Sequence, residues 1–330
     1  MNHVPVLLDE VLHALEPRDG ALYVDGTFGA GGYSRAILAA ADCRVLGIDR
    51  DPNVRPVGED LKQASGGRFV LVEAPFSEMQ NVVEGAGGQT VDGIVLDLGV
   101  SSMQLDQAER GFSFSRPGPL DMRMSGAGPS AADAIAQLSE RELADILYIY
   151  GDERKSRRVA AAIVRQRDAQ PFETTDQLAE IVARAIGGKP GKTHPATRVF
   201  QALRIFINDE MGELVRALHA AEQILAPLGR IVVVTFHSLE DRIVKTFFRA
   251  RAGLGAGGSR HLPEIEQGPE PSLRLLTRKA IEPSREEINV NPRARSARLR
   301  AAIRTDAPAW PEEHALFPTA PSLERLEVSS

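Results

Sequence analysis

The order of the short apolar runs between Ala21 and Val100 constrains this 330-residue chain more than any other feature. Leu22-Tyr23-Val24, Arg44-Val45-Leu46-Gly47-Ile48, Phe69-Val70-Leu71-Val72 and Ile94-Val95-Leu96 are separated by helix-compatible stretches such as Ser34 to Ala41. Strands that alternate with helices cross over to pair in parallel, so the pattern predicts an α/β fold built on a parallel sheet. A further run, Arg230 to Val234, follows a long helical stretch from Thr197 to Leu225 that Pro227 and Gly229 are expected to close. Between Met103 and Pro195 the strand pattern vanishes. Ser139-x-x-Glu142 and Thr174-x-x-Gln177 there read as capping boxes ahead of helically spaced apolar residues.

The length accommodates two cores. The expected organisation is a core of residues 1–102 and 196–304, an all-helical domain of residues 103–195 inserted after the fourth strand, and a disordered tail over 305–330 punctuated by Pro308, Pro311, Pro318 and Pro321. Gly253 to Pro271 reads as a flexible loop. Leu273 to Ile281 and Ser296 to Ile303 read as antiparallel edge strands.

Composition serves here to exclude. With 43% hydrophobic and 25% charged residues the chain can bury a core, which removes disorder and collagen. No apolar run approaches the roughly 18 residues of a membrane span. The first ten residues lack the cationic start and long apolar stretch of a signal peptide, so no membrane association and a cytoplasmic location are expected. Cys43 alone cannot form an internal disulfide, and seven scattered histidines without a His-x-x-x-His offer no dedicated metal site. The formal charge of -6 argues against indiscriminate coating of nucleic acid. Basic residues nevertheless gather at Arg154, Lys155, Arg157 and Arg158 and again from Arg293 to Arg304, as solvated faces or as local contacts.

Val24-Asp25-Gly26-Thr27-Phe28-Gly29-Ala30-Gly31-Gly32 falls where the first strand turns into a helix. Small residues let the backbone approach a ligand there, and the helix behind offers unpaired N–H groups. Asp49 ends the second strand, about the offset at which a carboxylate accepts hydrogen bonds from the two hydroxyls of a ribose. The turn departs from the glycine fingerprint of NAD sites and is closer to those for S-adenosylmethionine. Phe76, after the third strand, either lies against adenine or belongs to the core. Asp97, closing the fourth, either caps the next turn or acts as a catalytic acceptor. The loop Arg110 to Met124 mixes Arg110, Arg116 and Arg123 with Phe112 and Phe114. Such a loop suits single-stranded RNA, and its alternative is a loop pinned by buried phenylalanines. Arg198 and Arg204 are placed to meet a phosphate. His237, Ser238 and Asp241 lack the G-x-S-x-G elbow and are too close in sequence for a hydrolase relay.

Taken in order, His3 to Leu8, Asp25 to Gly29, Asp97 to Ser102 with Gln104, Arg110 to Phe114, Gly118 to Met124, His194 to Ile205, Phe236 to Arg242 and Asn291 to Ser296 resemble the bacterial ribosomal RNA small-subunit methyltransferase H (MraW) family. The resemblance runs from His3 to about Arg304. It implies a Rossmann-like class I methyltransferase sheet with an inserted helical domain, S-adenosyl-L-methionine as cofactor, and methylation of the exocyclic N4 of a cytosine in the decoding region of 16S rRNA, with the small ribosomal subunit as partner. It also implies cofactor contacts at Gly31, Gly32, Tyr33, Asp49, Phe76, Asp97 and Gln104, beside Gly29 of the same turn. Tyr33 departs from the family, which usually has histidine there. Asp97 is the expected catalytic residue, holding the amino group in line with the methyl donor. No proline-proline-aromatic follows it, so base stacking is expected from Phe112 or Phe114. A non-catalytic RNA-binding assembly factor and a nicotinamide-dependent oxidoreductase are the rival readings.

Overall fold

A computed structural model describes residues 5–187, 194–254, 269–311, 321, 323 and 326–328. His3 and Val4, most of the expected 253–271 loop, and Pro318 lie outside the described residues. The chain divides into two compact units, 1–99 with 212–316 and 100–211 with 317–330.

The first unit begins with α1 (Leu8–Leu15), β1 (Leu22–Asp25), α2 (Gly32–Ala40), β2 (Arg44–Asp49), α3 (Arg55–Ala64), β3 (Phe69–Glu73), α4 (Met79–Gly85) and β4 (Val91–Asp97). The second follows with α5 (Ser102–Asp106), α6 (Ala131–Gln137), α7 (Glu140–Ile149), α8 (Ser156–Ala169), α9 (Thr175–Ile186) and α10 (Thr197–Ile207). α11 (Glu210–Ile224) returns the chain to the first unit, completed by β5 (Leu225–Thr235), α12 (Ser238–Arg251), β6 (Leu273–Leu275), α13 (Arg285–Val290) and β7 (Arg298–Arg304).

Among the described residues the strands form one sheet in the order β3-β2-β1-β4-β5-β7-β6, with β7 antiparallel to both neighbours. β1 pairs in parallel with β2 on one side and β4 on the other, Val24 facing Leu46 and Ile94. Strands buried on both faces carry near-continuous apolar runs, which is why Ile94, Val95 and Leu96 are inaccessible together. The chain steps outward from β1 through β2 to β3 and then restarts at β4 on the opposite side. That reversal opens a crevice beyond the carboxyl ends of β1 and β4, where ligands of such sheets bind.

Three expectations change. The helix foreseen from Thr197 to Leu225 breaks at Asp209, whose φ of 47° is left-handed, and Pro227 and Gly229 fall in the irregular start of β5 where its register against β4 shifts. Helix α10, assigned to the core from residue 196, packs on α6 and α7 in the second unit. Thr305 to Pro311, expected to be disordered, is bound to the first unit. Buried Arg304 donates to the carbonyls of Ser272, Thr305 and Ala307, and the Trp310 N–H donates to Glu222 at 3.0 Å. Arg251, 1% exposed, lies 4.8 Å from the Trp310 ring and pairs with Glu222 at 2.9 Å. An aromatic ring and a charged anchor outweigh the proline content of this stretch. In the second unit the Glu327 N–H donates to Gln137 at 2.8 Å.

Candidate active site

The turn between β1 and α2 is fixed from below. Phe28 is 2% exposed and stacks on Phe69 with ring centroids 4.9 Å apart, while its N–H donates to the Ile48 carbonyl at 3.0 Å. Gly31 holds φ at 73°, and a Cβ there would stand 2.7 Å from the Phe28 ring, so glycine is required on both conformational and steric grounds. Gly29, at φ 51°, donates its N–H to Asp49 Oδ2 at 2.7 Å, and the Asp51 N–H donates to Asp49 Oδ1 at 2.9 Å. Each carboxylate oxygen keeps a further lone pair.

Tyr33 lies at the start of α2. Its side chain is 4% exposed and its hydroxyl donates to the Val6 carbonyl. Tyr33 thus has a packing and hydrogen-bonding role. Gly32 and Tyr33 form the start of the first turn of α2. Phe76, half-buried, sits over the turn, where a Cβ on Gly26 would stand 3.4 Å from it.

Three carboxylates end β1, β2 and β4. Asp25 is inaccessible, accepts from Ser34 Oγ at 2.7 Å and from the Thr27 N–H at 3.3 Å, and has its pKa pushed up to about 6, chiefly by burial. Asp49 is raised by burial too. Asp97 is raised well above the ordinary carboxylate range, first by burial and then by the charges of Asp25 and Glu240. Its backbone N–H donates to Thr27 Oγ1 at 2.6 Å, and its Oδ1 is buried with no hydrogen-bond partner. A buried acceptor left unmade costs about 1–3 kcal/mol, a penalty that a donating ligand removes. The set of acids also favours a positively charged ligand. Thr27 and Ser34, which position Asp97 and Asp25, were not singled out from the sequence. A hydroxyl nine residues beyond Asp25 is legible only once strand and helix are folded together.

Beyond β5, His237 caps α12, accepting from the Glu240 N–H at 3.5 Å, while Glu240 Oε2 accepts from the Phe236 N–H at 2.8 Å. Asp241 is raised by burial, but Arg300 at 2.7 Å and Arg298 at 3.2 Å overrule this and hold it below its usual range. These are structural bonds, consistent with discounting a hydrolase relay.

In the second unit Gln104 is buried and closes a capping box at α5, its Oε1 accepting from the Ser101 N–H at 3.0 Å. Of the candidate substrate residues, Arg110 donates to the carbonyls of Arg123 and Met124, and Phe112 is 7% exposed, so neither offers a free face. Arg123 is bound to Asp121 at 2.7 Å and to the Gly128 carbonyl. Phe114, half-buried, rests 4.7 Å from His194 and 4.8 Å from Phe200, and Arg116 is exposed. Arg198 is exposed and donates to the Asp152 carbonyl at 3.1 Å. Arg204, one of the expected phosphate contacts, instead holds Glu210 with two bonds of 2.7 and 2.8 Å. Asn208 pins the loop, accepting from the Met124 N–H and donating to the Met122 carbonyl, both at 2.8 Å. It stabilises the left-handed Met122, with φ 65°.

The sheet order, antiparallel β7, and a glycine turn flanked by strand-end acids define a Rossmann-like fold of the class I methyltransferase type. The chain belongs to the MraW methylase family, which matches residues 1–305. It is 66% identical over 328 residues to ribosomal RNA small subunit methyltransferase H of Maricaulis maris, covering 99% of this chain and 98% of that protein. Identity is 60% over 310 residues to the protein of that name from Xanthobacter autotrophicus, covering 94% of this chain and 89% of that protein. It is 55% over 329 residues to the one from Hyphomonas neptunium, covering 99% and 96%.

Proposed function

We propose that this chain uses S-adenosyl-L-methionine to methylate the exocyclic N4 of a cytosine in the decoding region of 16S rRNA, with the small ribosomal subunit as its partner. The shared name of the relatives supports a small-subunit rRNA substrate. The observation that carries the amino-group chemistry is Asp97 Oδ1, a buried acceptor without a donor at the carboxyl end of β4.

The residues fit the cofactor. Gly29, Gly31 and Gly32 admit a close backbone approach, Asp49 accepts from ribose hydroxyls, and Phe76 lies against the base. The acids at the strand ends offset a cationic sulfur. Bound there, the cofactor would supply a sulfonium-activated methyl group with a neutral thioether as leaving group. A cytosine amino group is a poor nucleophile because its lone pair is delocalised into the ring. By accepting its hydrogens, Asp97 aligns that lone pair with the methyl carbon, so positioning and electrostatics supply the rate. Transfer leaves one proton too many on nitrogen, and the raised proton affinity of Asp97 suits it to take that proton. Of the two candidate aromatics Phe114 is half-buried and Phe112 buried, which favours Phe114 for contact with RNA. The rRNA reading carries with it a cytoplasmic location. Among the described residues no helix is long and apolar enough to cross a membrane.

The test is incubation with 16S rRNA or small subunits and isotopically labelled methyl donor, followed by nucleoside mass spectrometry. N4-methylcytidine is the expected product. Methylation at ring carbon 5, or none on either substrate, overturns the reading.

A further inference from the structure

The two basic clusters of the sequence differ: in the second, Arg293 and Arg295 stay exposed while the arginines of β7 are engaged. Arg298 and Arg300 are neutralised by Asp241, and Arg304 is buried on backbone carbonyls. Arg154, Arg157 and Arg158 are exposed and, among the described residues, meet neither a carboxylate nor a carbonyl. They occupy the tip of the hairpin formed by α7 and α8 in the second unit.

The tip gathers more than charge. Tyr148, on the last turn of α7, is 61% exposed although Leu143, Ile146 and Leu147 on the same helix are buried. Arg198, from the first turn of α10, is drawn in by its bond to the Asp152 carbonyl. A Cβ on Gly151 would stand 2.6 Å from the Arg198 carbonyl oxygen and 2.8 Å from that of Leu147, so hairpin and α10 meet backbone to backbone. Lys155 is occupied by the Ile186 carbonyl at 2.7 Å, and the exposed acid of the tip is Asp152. The first turn of α8 carries Arg157 and Arg158 and no acid, whereas α6 and α7 open on serine capping boxes with acidic residues. Cations there add to the positive end of the helix and lower its stability. Such an arrangement is understandable where an anion compensates it.

We propose that Tyr148, Arg154, Arg157, Arg158 and Arg198 form a docking surface for single-stranded rRNA flanking the target nucleotide, the arginines on phosphates and the tyrosine stacked on a base. This rests on the rRNA reading above. It also accounts for substrate affinity when Arg110 and Arg123 are committed to their own loop.

The experiment measures binding of full-length protein to transcribed 16S rRNA across a salt titration, with methyl-donor affinity and Tm recorded alongside. Replacing Arg154, Arg157 and Arg158 together by alanine should lower the log-log salt slope by about 2, since each single-strand phosphate contact contributes about 0.7. Lysine at the same positions should preserve the slope. Tyr148→Ala should weaken binding about tenfold and Tyr148→Phe should not, because stacking needs the ring alone. Arg157→Glu with Arg158→Glu should abolish tight RNA binding while raising Tm, opposite signs that a packing role does not produce. Wild-type protein that binds 16S rRNA, with an unchanged slope in the triple alanine variant, overturns the surface and leaves the function reading standing. Wild-type protein that neither binds nor methylates 16S rRNA overturns both.

Discussion

Asp25, Asp49 and Asp97 share a strand-end position yet differ in what they already touch. Asp49 keeps acceptor capacity for two hydroxyls, so Asp49→Ala should weaken binding of S-adenosylmethionine at least about tenfold, a charge-assisted hydrogen bond being worth about 1.5–3 kcal/mol. Calorimetry reads this directly, and unchanged affinity removes Asp49 from the site. Asp97→Asn preserves shape while removing the charge. It should depress the single-turnover methylation rate by more than it weakens cofactor binding, whereas equal losses would reduce Asp97 to a ligand contact. Asp25 gives a pH signature. Folding raises its pKa to about 6, so ionisation disfavours the folded state. The penalty is absent below its ordinary value, grows as pH rises through the window up to about 6, and is complete above it. The stability of wild type relative to Asp25→Asn should therefore fall by up to about 3 kcal/mol between pH 4 and 6 and then level off, at about 1.36 kcal/mol per pKa unit. Denaturant melts across that range would show it, and a flat difference would mean Asp25 titrates normally.

At the scale of elements, the segment after β7 is held by Arg304 and by a buried ion pair of Arg251 and Glu222 rather than by a helix or strand of its own. Arg251 Nε donates to Glu222 at 2.9 Å between the rings of Phe247 and Trp310, whose distances are 4.7 and 4.8 Å. Breaking a buried pair from one side leaves an uncompensated charge. Arg251→Ala should thus destabilise the protein by about 3–5 kcal/mol and expose Thr305 to Pro311 to proteolysis. The paired change Arg251→Met with Glu222→Leu should cost less, because both charges leave together. Limited digestion and thermal melts distinguish the outcomes, and a single variant as stable as wild type would show that the pair does not anchor the segment. The loop from Arg110 to Met124 follows the same logic. Arg110 and Arg123 are spent on backbone carbonyls and on Asp121, and Asn208 of a distant helix end fixes its left-handed residue.

For the whole molecule, the glycine turn, Asp49 and Asp97 belong to the first compact unit and the α7–α8 hairpin to the second. S-adenosylhomocysteine should slow amide hydrogen exchange around Gly29 to Tyr33, Asp49 and Asp97, while α7, α8 and α9 keep their exchange rates. Exchange mass spectrometry decides this, and uniform protection would show that the units respond to the cofactor as one body.

Much of the fold was legible because its signals are local. Apolar runs alternating with helical stretches define the parallel strands, glycines mark the turn after β1, and Ser139 with Glu142 announces a helix start, since each needs only neighbours a few residues away. Asp49 and Asp97 were identifiable for the same reason, as acids closing apolar runs. What the sequence could not decide depended on partners far along the chain. Whether an arginine is open or spent turns on a carboxylate or carbonyl that only folding brings near, so Arg204, Arg300 and Arg154 look alike in sequence and differ in the structure. The anchoring of Trp310 is likewise long-range, set by Glu222 and Arg251. The lone acceptor of Asp97 exists only in three dimensions, where burial removes water and supplies no donor in its place.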